Sequence, residues 1–333
     1  MKKLVALCLL LSGLVLTGCS GKSNYDTIRI AEVTRSLFYA PLYVAVNEGI
    51  FQRHGIEVDI ILTPGADRVM AALISGDVQV GLMGPEASVY VYNQGRADYA
   101  INFAQLTQKD GSFLVGRNAD PNWNFSNLTD AEIIGGRRGG MPLMTLEYVL
   151  RNQGVDFRRD DSNARVNVRT DIDFAAMAGA FTRGIGDYVA LFEPVATRME
   201  NEGIGHIVAS IGDYAGYLPY TAFSTTKSFL DNNEDLLIRF TKALYEAQTW
   251  VYAHSDEEVA QSLASWFRDT SLNDIVRVIA RYRNIEAWAL TPIMTEEGLD
   301  KLLDIMKLAG EITTRVPFTT IVNTRIAEIA MGR

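Results

Sequence analysis

The chain has 333 residues, with 31 lysines and arginines against 40 aspartates and glutamates, a formal net charge of −9 and 48% hydrophobic residues. That length allows two domains of ordinary size, and the acidic balance argues against nucleic acid, whose binding rests on neutralising phosphates. Two cysteines and three histidines, none at a ligand spacing, offer no disulfide framework and no imidazole–thiolate metal site.

Met1-Lys2-Lys3 is basic, Leu4 to Leu16 is apolar apart from Ser12 and Gly13, and Leu16-Thr17-Gly18-Cys19 follows. This is the pattern of a bacterial secretory signal; the run is shorter than the roughly 20 residues of a spanning helix. Its ending resembles a lipobox, so cleavage before Cys19 would leave that thiol to carry lipid. Removal of residues 1–18 takes away Cys8, Lys2 and Lys3. The charge then becomes −11, from 29 basic and 40 acidic residues, and Cys19 is the only cysteine left. Residues 19–26 read as a lipidated polar tether. A small anionic ligand stays possible on so acidic a chain, because backbone dipoles can hold one locally.

Short strands then alternate with helices, which predicts an α/β architecture with mainly parallel pairing. Thr27 to Val33 is the first strand, Pro41 to Glu48 a helix with proline in its first turn and Gly49 at its stop. Ile56 to Leu62 is a strand, Thr63-Pro64-Gly65 a turn, Asp67 to Ser75 an amphipathic helix stopped by Gly76, Val78 to Leu82 a strand and Pro85 to Asn93 a helix. Tyr99 to Gln105 and Phe113 to Arg117 are further strands of this series. The polar segment 119–130 is expected to cross to a second α/β series. In that series, helices fall at Pro142–Asn152, Phe174–Thr182 and Pro194–Glu202, and strands at 133–135, 166–168, 188–191 and 207–209. Thr221 to Ser224 crosses back, and the rest is mostly helical. The expected division is residues 27–120 plus 220–333 in the first lobe and 121–219 in the second.

An internal echo links the halves. Ala72 to Glu86 and Ala180 to Pro194 both read helix, glycine, short apolar strand, then a turn in which proline opens a helix; a glutamate stands beside the proline both times, after it as Glu86 and before it as Glu193. Ligands of open α/β sheets bind outside the carboxyl ends of strands, so these turns are expected to face one cleft, although such turns also recur in α/β proteins generally.

The segment from Ala40-Pro-Leu-Tyr-Val-Ala-Val-Asn-Glu-Gly-Ile-Phe through Ala72-Leu-Ile-Ser-Gly-Asp-Val-Gln-Val-Gly-Leu-Met-Gly-Pro-Glu86, with Gly179–Pro194 and Tyr217–Val251, resembles the solute-binding proteins of ABC importers. The nearest branch binds nitrate, alkanesulfonates, taurine and the pyrimidine precursors of thiamine. The resemblance covers nearly the whole mature chain and names no solute. It implies a two-lobed periplasmic binding protein-like fold of type II, a ligand cleft between the lobes, no cofactor, no catalysis, and delivery of a small-molecule solute to a membrane permease. The protein would be a monomer, extracytoplasmic and held to the membrane by lipid on Cys19.

Five turns supply the expected ligand contacts. Ser36, Phe38 and Tyr39 leave the first strand; at least one of the two rings is expected in the pocket, where it could stack on a flat ligand, the alternative being that one of them packs into the core. Gly84, Pro85 and Glu86 open a helix; the glycine allows close backbone approach, and Glu86 either meets the ligand or caps the helix. Gly140, Met141, Pro142 and Thr145 form a backbone cradle that lacks the Gly-Lys-Ser/Thr ending of a nucleotide loop. Arg137 and Arg138 beside it are either anion ligands or solvated. Glu193 either accepts from an amine, aminopyrimidine or hydroxyl or caps its helix. Tyr217 and Tyr220 stand near the return crossing, and Gln105 completes the set from the end of its strand. Two glutamates beside aromatic residues favour a small nitrogen heterocycle or amine, such as a thiamine pyrimidine precursor. Taurine or another sulfonate and nitrate are the alternatives. An enzyme making the thiamine pyrimidine on the same fold is the rival class, but the site histidine and cysteine-rich segment of those enzymes are not visible, and no nucleophile elbow or triad is present.

Overall fold

The structure, a computed structural model, describes residues 25–333, so the expected signal, Cys19 and most of the tether lie outside the described residues. Among the described residues, strands β1 (Asp26–Glu32), β2 (Ile56–Leu62), β3 (Val80–Met83) and β4 (Ala100–Thr107) join β11 (Thr221–Thr226) in one sheet, ordered β2-β1-β3-β11-β4. Strands β5 (Ser112–Gly116), β6 (Ala131–Ile134), β7 (Arg158–Arg159), β8 (Val166–Arg169), β9 (Tyr188–Phe192) and β10 (His206–Ser210) form the other, ordered β10-β5-β9-β6-β8-β7. Both sheets are mixed. β1 pairs in parallel with β2 and β3, and β6 with β8 and β9, while β11 and β5 run antiparallel to their neighbours.

The strands occur where β-branched and apolar residues cluster, and the helices stop where the backbone must turn left-handed. Pro41 sits in the first turn of helix Ala40–Asn47, and Gly76 closes helix Ala66–Ser75 at φ 82. The chain crosses between sheets at 108–111 and again at 216–220. The first crossing corrects the expected boundary near 120. β5 pairs with β9 and β10, and the polar 119–130 segment lies within the second lobe, where Trp123 and Phe125 pack against Tyr188 and Tyr214. The tether expectation also shortens, because Asp26 already pairs with Ile56.

The C-terminal helices return to the first lobe. Helix Glu234–Ala253 buries Leu237, Phe240, Leu244 and Val251 along one face, and the Phe240 ring meets Phe51, Phe103 and Phe223 with centroids 5.1–5.8 Å apart. Each such side chain contributes roughly 1.5–3 kcal/mol by leaving water. No helix among the described residues is long and apolar enough to cross a membrane.

Candidate functional site

The carboxyl ends of β1, β2, β3, β6, β8 and β9 converge on one cavity of about 590 Å³ between the lobes. The first lobe supplies Val33 and Thr34 after β1, the Pro64–Gly65 turn and one face of the 66–75 helix, and Gly84, Glu86 and Tyr90 from the start of helix Glu86–Asn93. The second lobe supplies 136–143, Phe174 and Phe192, and Tyr220 closes the floor at the return crossing. This is the strand-end cleft that open α/β sheets provide.

Glu86 is the most consequential wall residue. It is 2% exposed, and its Oε2 has no hydrogen-bond partner. Burial pushes its carboxyl up to about 7; its own backbone N–H, that of Met141 across the cleft and the Arg137 charge pull the other way. A β-carbon on Gly84 would fall on this carboxylate. Gly84→Ala is therefore expected to fold but to displace Glu86 and weaken solute binding at least tenfold, as titration calorimetry would show; undiminished affinity would mean that Glu86 is not the anchor.

Aromatic rings back the cavity. Phe192 lies 5.7 Å from Phe174 and 6.2 Å from Tyr220, ring centre to ring centre. Tyr39 lines the cavity and is 3% exposed, with a hydroxyl held well above its usual pKa by burial and by the nearby Glu32 and Glu86 carboxylates. The rim joins the lobes directly. The Tyr90 hydroxyl donates to the Gly139 carbonyl at 3.0 Å, and Arg137 pairs with Asp67. Both partners of that ion pair are about half exposed, so it adds little to stability. Asp67→Asn is expected to speed solute release several-fold with almost no change in melting temperature. Stopped-flow dissociation checks this, and an unchanged off-rate would remove the pair from gating.

Of the expected ligand residues, the structure brings Tyr39, Gly84, Glu86, Gly140, Met141, Pro142 and Tyr220 to this cavity. The others lie elsewhere. Ser36 caps its own turn and donates to the Glu193 carbonyl at 2.6 Å. Phe38 turns into the core, 5.4–5.7 Å from the rings of Tyr39, Phe192, Tyr220 and Tyr282. Pro85 is the buried N-cap of the 86–93 helix, outside the lining. Gln105 spends its amide on the Thr107 carbonyl, and Thr145 bonds back to the Met141 carbonyl within its helix. Tyr217 is exposed, donating to Glu286 with Lys109 over its ring.

Glu193 is the main correction. It is 1% exposed and receives the Thr197 N–H and hydroxyl at 2.8 and 2.9 Å, while Arg281 from helix Leu272–Asn284 pairs with the same carboxylate. Its oxygens are thus committed to structure. The strand-end rule, applied to every strand, would have found what was missed after β2 and β8: the Pro64–Arg68 turn and Phe174. No group of His, Cys, Asp and Glu among the described residues is placed to hold a metal.

A family model described as the NMT1-like family matches residues 27–267. The chain belongs to the NMT1-like family. YtlA of Bacillus subtilis (strain 168), named as a candidate binding protein, is 42% identical over 313 residues, 94% of this chain and 92% of that one. The ligand-binding component of an ABC-type import system from Staphylococcus aureus, with zinc bound, superposes with a TM-score of 0.73 at 13% identity, over 92% of this chain and 99% of that one. The alkanesulfonate-binding protein SsuA from Xanthomonas axonopodis pv. citri, bound to MOPS, gives 0.72 at 14% identity, over 91% and 100%. At these identities the structural likeness speaks for the fold, which is that of the periplasmic binding proteins. The family and fold expected from the sequence are borne out.

Proposed function

We propose that this NMT1-like chain is the solute-binding component of an ABC importer, held on the extracytoplasmic face by lipid on Cys19, and that it carries a small nitrogen heterocycle or amine. The carrying observation is Glu86: a buried carboxylate on the cavity wall, one oxygen unpartnered, among Tyr39, Tyr220, Phe174 and Phe192. An unpaired buried acceptor is costly, and a ligand N–H would satisfy it. A bare anion would meet repulsion there once the carboxyl is ionised, as pH rises through about 7. The neighbouring guanidiniums offset that charge only in part: Arg137 favours the ionised carboxyl but is itself paired with Asp67, and Arg138 is paired with Asp160. Solute touching both lobes would favour the closed form, the one a permease would accept.

A second reading, an aminosulfonate or alkanesulfonate, has Arg68 at the exposed rim and the N-terminus of helix Met141–Asn152 in the wall. A thermal-shift titration of residues 20–333 with 4-aminopyrimidines, taurine, alkanesulfonates and nitrate separates the two, since ligand binding to the native state raises its melting temperature. We expect a dose-dependent rise with the aminopyrimidines and recovery of the compound unaltered. A rise confined to sulfonates or nitrate moves the assignment to the second reading, and chemical conversion of the compound ends the carrier reading. Metabolic labelling with palmitate tests the anchor; a full-length protein without label would lack it.

A further inference from the structure

Beside its polar groups the cavity has an apolar side. Asp67, Ala71 and Ile74 line it from one helix and Glu86, Tyr90 and Gln94 from the next, spacings that keep to one face of each. At 1.5 Å per residue the wall from 67 to 74 runs about 10 Å. Past Glu86 the trough is walled by Met70, Ala71, Ile74, Ala87 and Val91, with Gln94 at its far end. Met70, Ala87 and Val91 belong to a small apolar cluster separate from the main core, and Ile74 packs on the same cluster. Alanine at 71 and at 87 keeps the trough open; larger side chains at these positions would fill it. Tyr39, Glu86 and Tyr220 cluster where the helices begin, at strand ends and crossing.

One end that binds N–H groups and an apolar stretch of about 6 Å, from Met70 to Ile74 on one helix and from Ala87 to Val91 on the next, fit a solute with two parts. Nitrate or taurine, with few heavy atoms, would leave the apolar wall against water, forgoing the gain from its burial. We propose that the solute carries an apolar arm of several carbons that lies along the 66–75 and 86–93 helices, while its nitrogen-bearing head sits at Glu86. The head assignment rests on the reading given above; the arm rests on the trough.

Two homologous series test this on residues 20–333 by titration calorimetry: 4-aminopyrimidines with a 2-alkyl chain from methyl to hexyl, and n-alkanesulfonates of the same lengths. In the aminopyrimidine series, affinity is expected to rise about fourfold per methylene and to level off when the trough is full. Ala71→Leu, a change at an exposed helix position, should shrink the hexyl-to-methyl affinity ratio at least tenfold. Binding of aminopyrimidines with no dependence on length, or an Ala71→Leu protein that keeps the parent ratio, overturns the arm and leaves the head. Length dependence only among the sulfonates keeps the arm and overturns the head. Binding in neither series overturns both.

Discussion

Glu86→Gln is expected to lower solute affinity about 10- to 100-fold and, at the same time, to stabilise the unliganded protein at pH 8. A hydrogen bond to a buried charged group contributes about 1.5–3 kcal/mol, and that is what a ligand N–H would lose when the acceptor becomes a neutral amide. Burial holds the Glu86 carboxyl at about 7, so the ionised acceptor becomes populated as pH rises through that value. Affinity for a donor solute should therefore increase from pH 6 to pH 8 in the parent and stay flat in the variant. Stability moves the other way. An unfolded glutamate titrates near 4.5, so between 4.5 and about 7 the folded protein binds more protons than the unfolded chain. Stability then falls as pH rises through this window, and the loss is complete above it, amounting to roughly 3 kcal/mol for a shift of this size. Glutamine has no such proton, so the variant escapes the loss at pH 8 and has no advantage at pH 4. Glu32 and Asp110 are also pushed up to about 7 by burial; they give slopes of the same sign, so the variant flattens the parent's descent only in part. Urea denaturation at the two pH values and calorimetry across pH 6–8 measure both effects. Parent affinity that ignores pH would sink the role of Glu86 as an ionised acceptor.

The sequence pattern carried the elements well and the long-range partners poorly. Strand Ile56–Leu62 lies where the pattern placed it, and helix Met141–Asn152 begins one residue before the expected Pro142, because alternation, helical spacing and the flanking turn residues are local signals. Sheet membership is not local. Phe113 to Arg117 reads as a strand from its own residues, but nothing in them says that it pairs with β9 rather than β4. The short crossing 108–111 has no linker composition, whereas 119–130 has that composition without being the crossing. The same limit divides the site. Strand-end turns brought Glu86 and Gly140 to the cavity. Phe38 and Tyr39 are adjacent, but the Phe38 ring packs over Gly111, where a β-carbon would collide with it, and only Tyr39 reaches the cavity. Glu86 and Glu193 sit at echoing turns and differ in their surroundings. Glu86 keeps one oxygen free, while Glu193 finds a guanidinium 88 residues further along the chain.

That guanidinium makes Arg281→Met the substitution expected to harm stability most. Glu193 is buried at the start of helix Val195–Asn201, and Arg281 pairs with it, with the Thr197 hydroxyl at 3.1 Å and with Glu200 at 3.1 Å. The backbone of Glu193 also ties the lobes to the C-terminal helices. Its carbonyl accepts from Ser36, and its N–H donates to the Tyr282 hydroxyl, which donates in turn to the Gly111 carbonyl at the crossing. Removing the cation leaves a buried carboxylate with only the Thr197 donors, a loss of about 3–5 kcal/mol for a broken buried pair. Arg281→Met should therefore show a sharply lower urea midpoint with an unchanged slope. Adding Glu193→Gln to it should recover part of the loss, because the uncompensated charge is gone while the amide can still accept from Thr197. Glu193→Gln alone should lower stability less than Arg281→Met and leave solute affinity within about twofold, since its carboxylate is occupied away from the cavity. A tenfold loss of affinity in a folded Glu193→Gln protein would return this residue to the binding site and overturn its assignment as a structural tie.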